Sequence, residues 1–176
     1  ALTDHPPTSA MPDFSYKSAD WHYSQLRDMR EAGIDFILPV FWGVPGQYTS
    51  WSFAGLSPLV LAHNRMQAED KASGSRASVP AIGMFFDTST LQFNREIPGG
   101  MAPGRQIDLT TDAGREWFYV VIRDFFSMIP PEKWARVDGK PIVFLYAAEF
   151  AKAVDDKLFA DTQRRFRKDF GTEFFL

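Results

Sequence analysis

Ala32-Gly33-Ile34-Asp35-Phe36-Ile37-Leu38-Pro39-Val40-Phe41-Trp42-Gly43 decides the fold class of this chain. A helical pattern stops at Gly33, an apolar run without polar alternation follows, and the run closes on Trp42 beside Gly43. Such a run is expected to be a strand covered on both faces, as in parallel sheets flanked by helices. The stretch reads as one unit of a β/α fold, with an aromatic residue at the strand's carboxyl end, where such folds place their sites.

Working outward, Ser18 or Asp20 can cap a helix that carries His22, Leu26, Met29 and Ala32 on one face. After the strand, Ser57-Pro58 supplies an N-cap and a first-turn proline for a helix to about Lys71. A second strand is predicted over Val79–Phe86, ending in Asp87-Thr88-Ser89-Thr90, and Thr111 caps the next helix. That helix places Phe118, Val121, Ile122, Phe125 and Ile129 at core spacing until Pro130-Pro131 stops it. Asp138-Gly139 signals a turn, and Ile142–Tyr146 reads as a third strand ending near Glu149. A helix from about Asp155 buries Leu158, Phe159, Thr162, Phe166 and Phe170 and turns Arg164, Arg165, Arg167 and Lys168 to water. Phe174-Phe175-Leu176 would open a fourth strand.

This alternation gives a parallel sheet flanked by helices, either doubly wound or closing into a barrel. The long loops all follow strands and no Gly-rich phosphate turn follows any strand, which favours the barrel. A whole barrel takes about 250 residues, so the 176 residues correspond to about four βα units of a partial (β/α)8 TIM barrel in a single domain, residues 1–176. Both ends read as cut from a larger barrel.

Bulk composition narrows the function. A formal net charge of -3 argues against a nucleic-acid surface, which needs clustered Lys and Arg. With no Cys, disulfides, Cys-based zinc sites and thiol nucleophiles are excluded. The apolar runs fall short of the roughly 18 residues of a membrane helix, and ALTDHPPTS lacks the pattern of a signal peptide. His5, His22 and His63 show no ligand spacing, so no metal or other cofactor is expected. Gly99–Gln106 has the glycine spacing of a phosphate loop but Arg105 and Gln106 where Lys and Ser or Thr belong, and it begins too far from its strand.

Residues past the strand ends converge on one face in either fold. They are Trp42, Asp87 and Glu149, joined by Tyr48, Trp51, Thr88, Ser89, Asn94 and Tyr146; His5 could line the same face. At 15% of the chain, aromatic residues are abundant; flat rings stack on the apolar faces of sugars while carboxylates and hydroxyls bind sugar hydroxyls. A carbohydrate is the ligand this mixture suits. Paired carboxylates also suit glycoside hydrolysis, in which a separation of about 5 Å goes with retention and about 6.5–9.5 Å with inversion. Asp87 and Glu149 are the candidate pair. Each residue has a plainer role available: Glu149 can flank the last helix, Trp42 can pack at a rim, and Tyr48 and Trp51 can turn away.

Three stretches carry a resemblance: SYKSADWHYSQLRDMREAGIDFILPVFWG (15–43), PAIGMFFDTSTL (80–91) and IPPEKWARVDGKPIVFLYAAEF (129–150). With Met29-x-x-Ala32-Gly33-Ile34-Asp35 leading to Trp42-Gly43, they resemble bacterial proteins with a domain of unknown function, similar to the endo-α-mannosidases of glycoside hydrolase family 99. The resemblance implies a (β/α)8 barrel that acts on, or descends from enzymes acting on, α-linked glycans such as mannosides in polysaccharide degradation, with no redox cofactor. It also implies a secreted or extracytoplasmic protein, expected to be a monomer. Trp42, Asp87 and Tyr146 carry over as sugar-subsite residues. Where the mannosidases have Tyr followed by Asp, this chain has Tyr146-Ala147-Ala148-Glu149, and the family's late glutamate motif does not occur in these residues. The expectation is therefore a glycoside-hydrolase-like domain inactive as it stands, the alternative being a non-catalytic carbohydrate-binding or scaffold domain that has lost its acids.

Overall fold

The first helix forms where its cap signal lies. In the computed structural model, which describes residues 15–46, 48, 51–75, 77–93, 106–146 and 151–176, α1 spans Ala19–Glu31, and the Ser18 hydroxyl accepts from the Trp21 N–H at 3.3 Å. Gly33, at φ 75°, ends it: its N–H reaches the Arg30 carbonyl while Ile34 N–H reaches Met29. This left-handed closure costs a glycine little and turns the chain into the strand.

Phe36–Ile37 (β1) and Val40–Phe41 (β2) follow on one line. The strand expected as one piece is interrupted at Pro39, which has no N–H for the ladder. A short helix, α2 (Trp51–Ala54), precedes α3 (Leu56–Ser73), so Ser57 lies inside the helix instead of capping it, and Pro58 sits in the first turn where its missing N–H costs nothing. The second strand is Ala81–Ile82 (β3) and Met84–Asp87 (β4), broken at Gly83, and Thr90–Phe93 forms α4. Thr111 caps α5 (Asp112–Met128) through Gly114 N–H at 3.1 Å, as its position predicts. A 3₁₀ turn at Pro131–Lys133 leads to an antiparallel hairpin, β5 (Arg136–Val137) with β6 (Lys140–Pro141). Asp138 at φ 49° and Gly139 at φ 76° make its two-residue turn. Val143–Tyr146 (β7) and α6 (Lys157–Phe170) complete the set.

Outside the hairpin the described strands are parallel and adjacent in chain order: β1 beside β3, β2 beside β4, β4 beside β7, and Ile142 bridged to Phe175. No reversal of strand order, the mark of a doubly wound sheet, occurs among the described residues. The helices pack in the same order, α1 on α3, α3 on α5 and α5 on α6. The result is an α/β layer of parallel strands in small sheets, and no closed barrel forms among the described residues.

One expectation is corrected. The strands are covered on one face, not two: Phe41, Phe86 and Val143 are 1%, 0% and 1% exposed, whereas their strand neighbours Val40 and Phe144 are 47% and 48% exposed. The two-residue alternation separates a helix-packed side from a bare apolar side. On the packed side the rings make a chain of edge contacts, Phe41 to Phe125 at 5.3 Å, Phe86 to Phe118 at 5.2 Å, and Phe126 to both Trp134 and Phe166 at 5.2 Å. Arg165, expected in water, pairs with Glu116 of α5.

Gly114 is where α5 meets the preceding loop. A Cβ there would lie 2.0 Å from the Asp108 carbonyl oxygen and 2.8 Å from its carbon, both backbone atoms. Alanine adds about 1 kcal/mol of helix propensity, but overpacking against backbone costs about 1–3 kcal/mol or more. Gly114→Ala is therefore expected to lower the urea midpoint; a raised midpoint would show that the loop yields freely.

Candidate functional site

The ladder pairs two of the expected residues, and a third follows directly on the end of the neighbouring strand. Val40 pairs with Phe85 and Phe85 with Phe144; two positions further along come Asp87 and Tyr146, which are direct partners, while Trp42 lies one residue past the end of β2, whose last ladder pair is Phe41 with Phe86. By alternation all three belong to the bare face, at the carboxyl ends of the strands. Trp42 is 36% exposed and Tyr146 49% exposed. Below the row, Phe85 stacks with Tyr146, centroids 5.8 Å apart and planes 29° apart, and packs against Phe144 at 5.0 Å. Sequence reading missed Phe85, Phe144 and Val40 as surface residues, because an unbroken apolar run hides which alternate positions lack cover.

Asp87 is held in place. Its Oδ1 accepts from the Ser89 N–H at 3.1 Å and from the Ser89 hydroxyl at 2.6 Å, a turn that starts α4. Among the described residues Oδ2 receives no hydrogen bond. Thr88 is 1% exposed and its hydroxyl donates to the Tyr146 carbonyl, so it ties two strand ends together beneath the row. Tyr48 is exposed and its ring lies 5.1 Å from Phe53, beside the row's Trp42 end, where the Ser52 hydroxyl donates to the Trp42 carbonyl at 3.0 Å. Trp51 opens α2, and its side chain lies outside the described residues. Glu149, His5 and Asn94 also lie outside them. Among the described residues no group of three or more His, Asp and Glu side chains could hold a metal ion.

A sequence profile for a family of domains of unknown function, DUF5010, matches residues 8–176. The chain belongs to the DUF5010 family. No curated protein and no solved structure matches it.

At the other end of the strands the DUF5010 chain buries a second polar group that sequence reading did not single out. His63 on α3 is 2% exposed, and neither ring nitrogen has a hydrogen-bond partner. Lys133, 4% exposed, donates to Gln67 Oε1 at 2.6 Å. Burial first, and then the nearby Lys133 charge, pull the His63 pKa down to about 4; the Pro80 carbonyl and Gln67 oppose this only in part. Only two sequence signals point there, a His and a Gln four residues apart on α3. That spacing places them on one helix face.

The sign of the pH effect follows. Unfolded His63 takes a proton near pH 6.5, whereas the folded state resists it to about pH 4, so stability is complete above 6.5 and falls as the pH drops toward 4. The full difference is on the order of 3 kcal/mol. Chemical denaturation between pH 7 and 4.5 is expected to show a shallower decline in His63→Met than in the parent chain. Parallel curves would remove His63 as the source.

Proposed function

We propose that the strand-end row of the DUF5010 chain binds a glycan, as part of a glycoside-hydrolase-like (β/α)8 barrel of which these residues supply about four βα units. The observation that carries the reading is the placement of Trp42, Asp87 and Tyr146 at the carboxyl ends of three adjacent parallel strands that share an apolar face. Two aromatic rings flanking a carboxylate suit a pyranose, whose faces are apolar and whose rim is hydroxylated. The parallel strands in chain order, with helices on one side and an apolar face on the other, support the barrel. The likeness of residues 15–43, 80–91 and 129–150 to family 99 mannosidases favours an α-mannoside, and with it an extracytoplasmic setting.

In the hydrolytic form of this proposal Asp87 and Glu149 are the carboxylate pair, with Tyr48, Trp51 and His5 at the rim. A second reading is favoured by one observation: Ser89 occupies Asp87 Oδ1 twice, a turn-forming use of the carboxylate. On that reading the domain binds sugar without cleaving it.

Calorimetric titration with manno-oligosaccharides and other α-linked glycans, alongside a reducing-sugar assay, separates these. Trp42→Ala is expected to weaken binding about ten-fold, or ~1.4 kcal/mol. Asp87→Asn abolishes turnover if Asp87 is catalytic and weakens binding alone if it is not. Unchanged binding in both variants would sink the glycan reading.

A further inference from the structure

Four buried hydroxyls converge on the three strand-end residues. Ser52, Thr88, Ser89 and Thr90 are 6%, 1%, 8% and 4% exposed. Each donates to Trp42, Asp87 or Tyr146. The Ser52 hydroxyl reaches the Trp42 carbonyl at 3.0 Å, and the Thr88 hydroxyl reaches the Tyr146 carbonyl. Ser89 gives its hydroxyl to Asp87 Oδ1 at 2.6 Å, and Thr90 gives its own to the Asp87 carbonyl at 3.3 Å. By contrast, the buried Thr162 hydroxyl only returns to the Leu158 carbonyl one turn back in α6, the ordinary bond of a helical threonine.

These contacts fall where the ladder runs out, at or just past the pairs Phe41–Phe86 and Asp87–Tyr146. Element ends open more readily than their middles, so a ligand held there needs added restraint. Starting a helix does not account for the bonds. Ser52 and Thr88 reach across 10 and 58 positions of sequence. The Ser89 N–H already closes the turn onto Asp87 Oδ1 at 3.1 Å, and the hydroxyl adds a second bond to the same oxygen.

We propose that Ser52, Thr88, Ser89 and Thr90 are positioning residues that hold Trp42, Asp87 and Tyr146 in their sugar-binding arrangement before the glycan arrives. This assignment rests on the glycan-binding reading of the strand ends. All four side chains are too buried to meet a ligand, so their effect passes through the residues they hold. Ordering a loose side chain on binding weakens affinity about two- to ten-fold, and groups already held avoid that loss. Asp87 shows the consequence most plainly: with Oδ1 anchored twice, Oδ2 is the oxygen left to accept from a sugar hydroxyl.

The test is calorimetric titration of the full natural protein with an α-linked manno-oligosaccharide, in paired variants that remove a hydroxyl or keep it. Thr88→Val and Ser89→Ala are expected to weaken binding about five-fold, whereas Thr88→Ser and Ser89→Thr stay within about two-fold of the parent. In the sugar-free protein, nitrogen relaxation is expected to show the Tyr146 amide loosened in Thr88→Val while the Phe86 amide is unchanged. Hydroxyl-free variants that bind as tightly as the parent would overturn the assignment and leave the glycan reading intact. So would hydroxyl-keeping variants that lose as much affinity, because volume and not the hydrogen bond would then matter. A parent protein that binds no glycan removes both. Ser89→Ala decides alone if Thr88→Val does not fold.

Discussion

Every described element depends on a parallel sheet packed by helices on one side only. The rings of Phe41, Phe86, Phe118, Phe125, Phe126 and Phe166, all 2% exposed or less, fill the space between strands and helices. Buried aromatics provide most of the contact area, and their edge-to-face geometry fixes the angle at which each helix lies. The opposite side chains of the same strands are left without that cover. Because neighbouring residues alternate, packing one face with such rings also determines what the other presents: Val40, Phe85 and Phe144, then Trp42, Asp87 and Tyr146 at the carboxyl end.

Polar contacts then fasten the helices to one another outside the aromatic layer. Arg30 of α1 pairs with Asp70 of α3 at 2.9 Å, with side chains 24% and 16% exposed. Arg115 of α5 reaches Asp155 ahead of α6 at 2.6 Å. Tyr119 of α5 donates to Asp169 of α6, and burial together with that carboxylate raises the tyrosine's pKa, keeping the hydroxyl a donor. Surface pairs such as Arg65 with Glu69, about half exposed, contribute little to stability. These ties follow the chain order of the helices, as the strand ladder does.

Much of this order was legible in the residues. Ser18, Gly33 and Thr111 mark helix ends through local chemistry that acts within four residues, and the Phe118–Ile129 stripe has a period only a helix satisfies. Strand-end positions were legible for the same reason: Trp42, Asp87 and Tyr146 each close an apolar run. What the residues did not disclose is tertiary. Pro39 and Gly83 interrupt strands that look continuous, because the ladder is lost at one position while extended backbone persists. Ser57-Pro58 resembles a helix start, yet α3 begins two residues earlier, with Gly55 as its N-cap, where α2 delivers the chain. The bare face was hidden because an apolar residue reads alike whether a helix or nothing lies over it. His63 and Lys133 come together from segments far apart in sequence.

The glycan-binding reading stands or falls with the strand-end row. An isotope-labelled sample titrated with an α-linked manno-oligosaccharide, followed by heteronuclear NMR, examines that row directly. Trp42, Asp87 and Tyr146 are expected to shift together and saturate at one ligand concentration, while His63 and Lys133 at the far end stay still. Absence of saturable shifts across the glycans tried, or shifts confined to the His63 end of the strands, would contradict a sugar-binding face at Trp42, Asp87 and Tyr146.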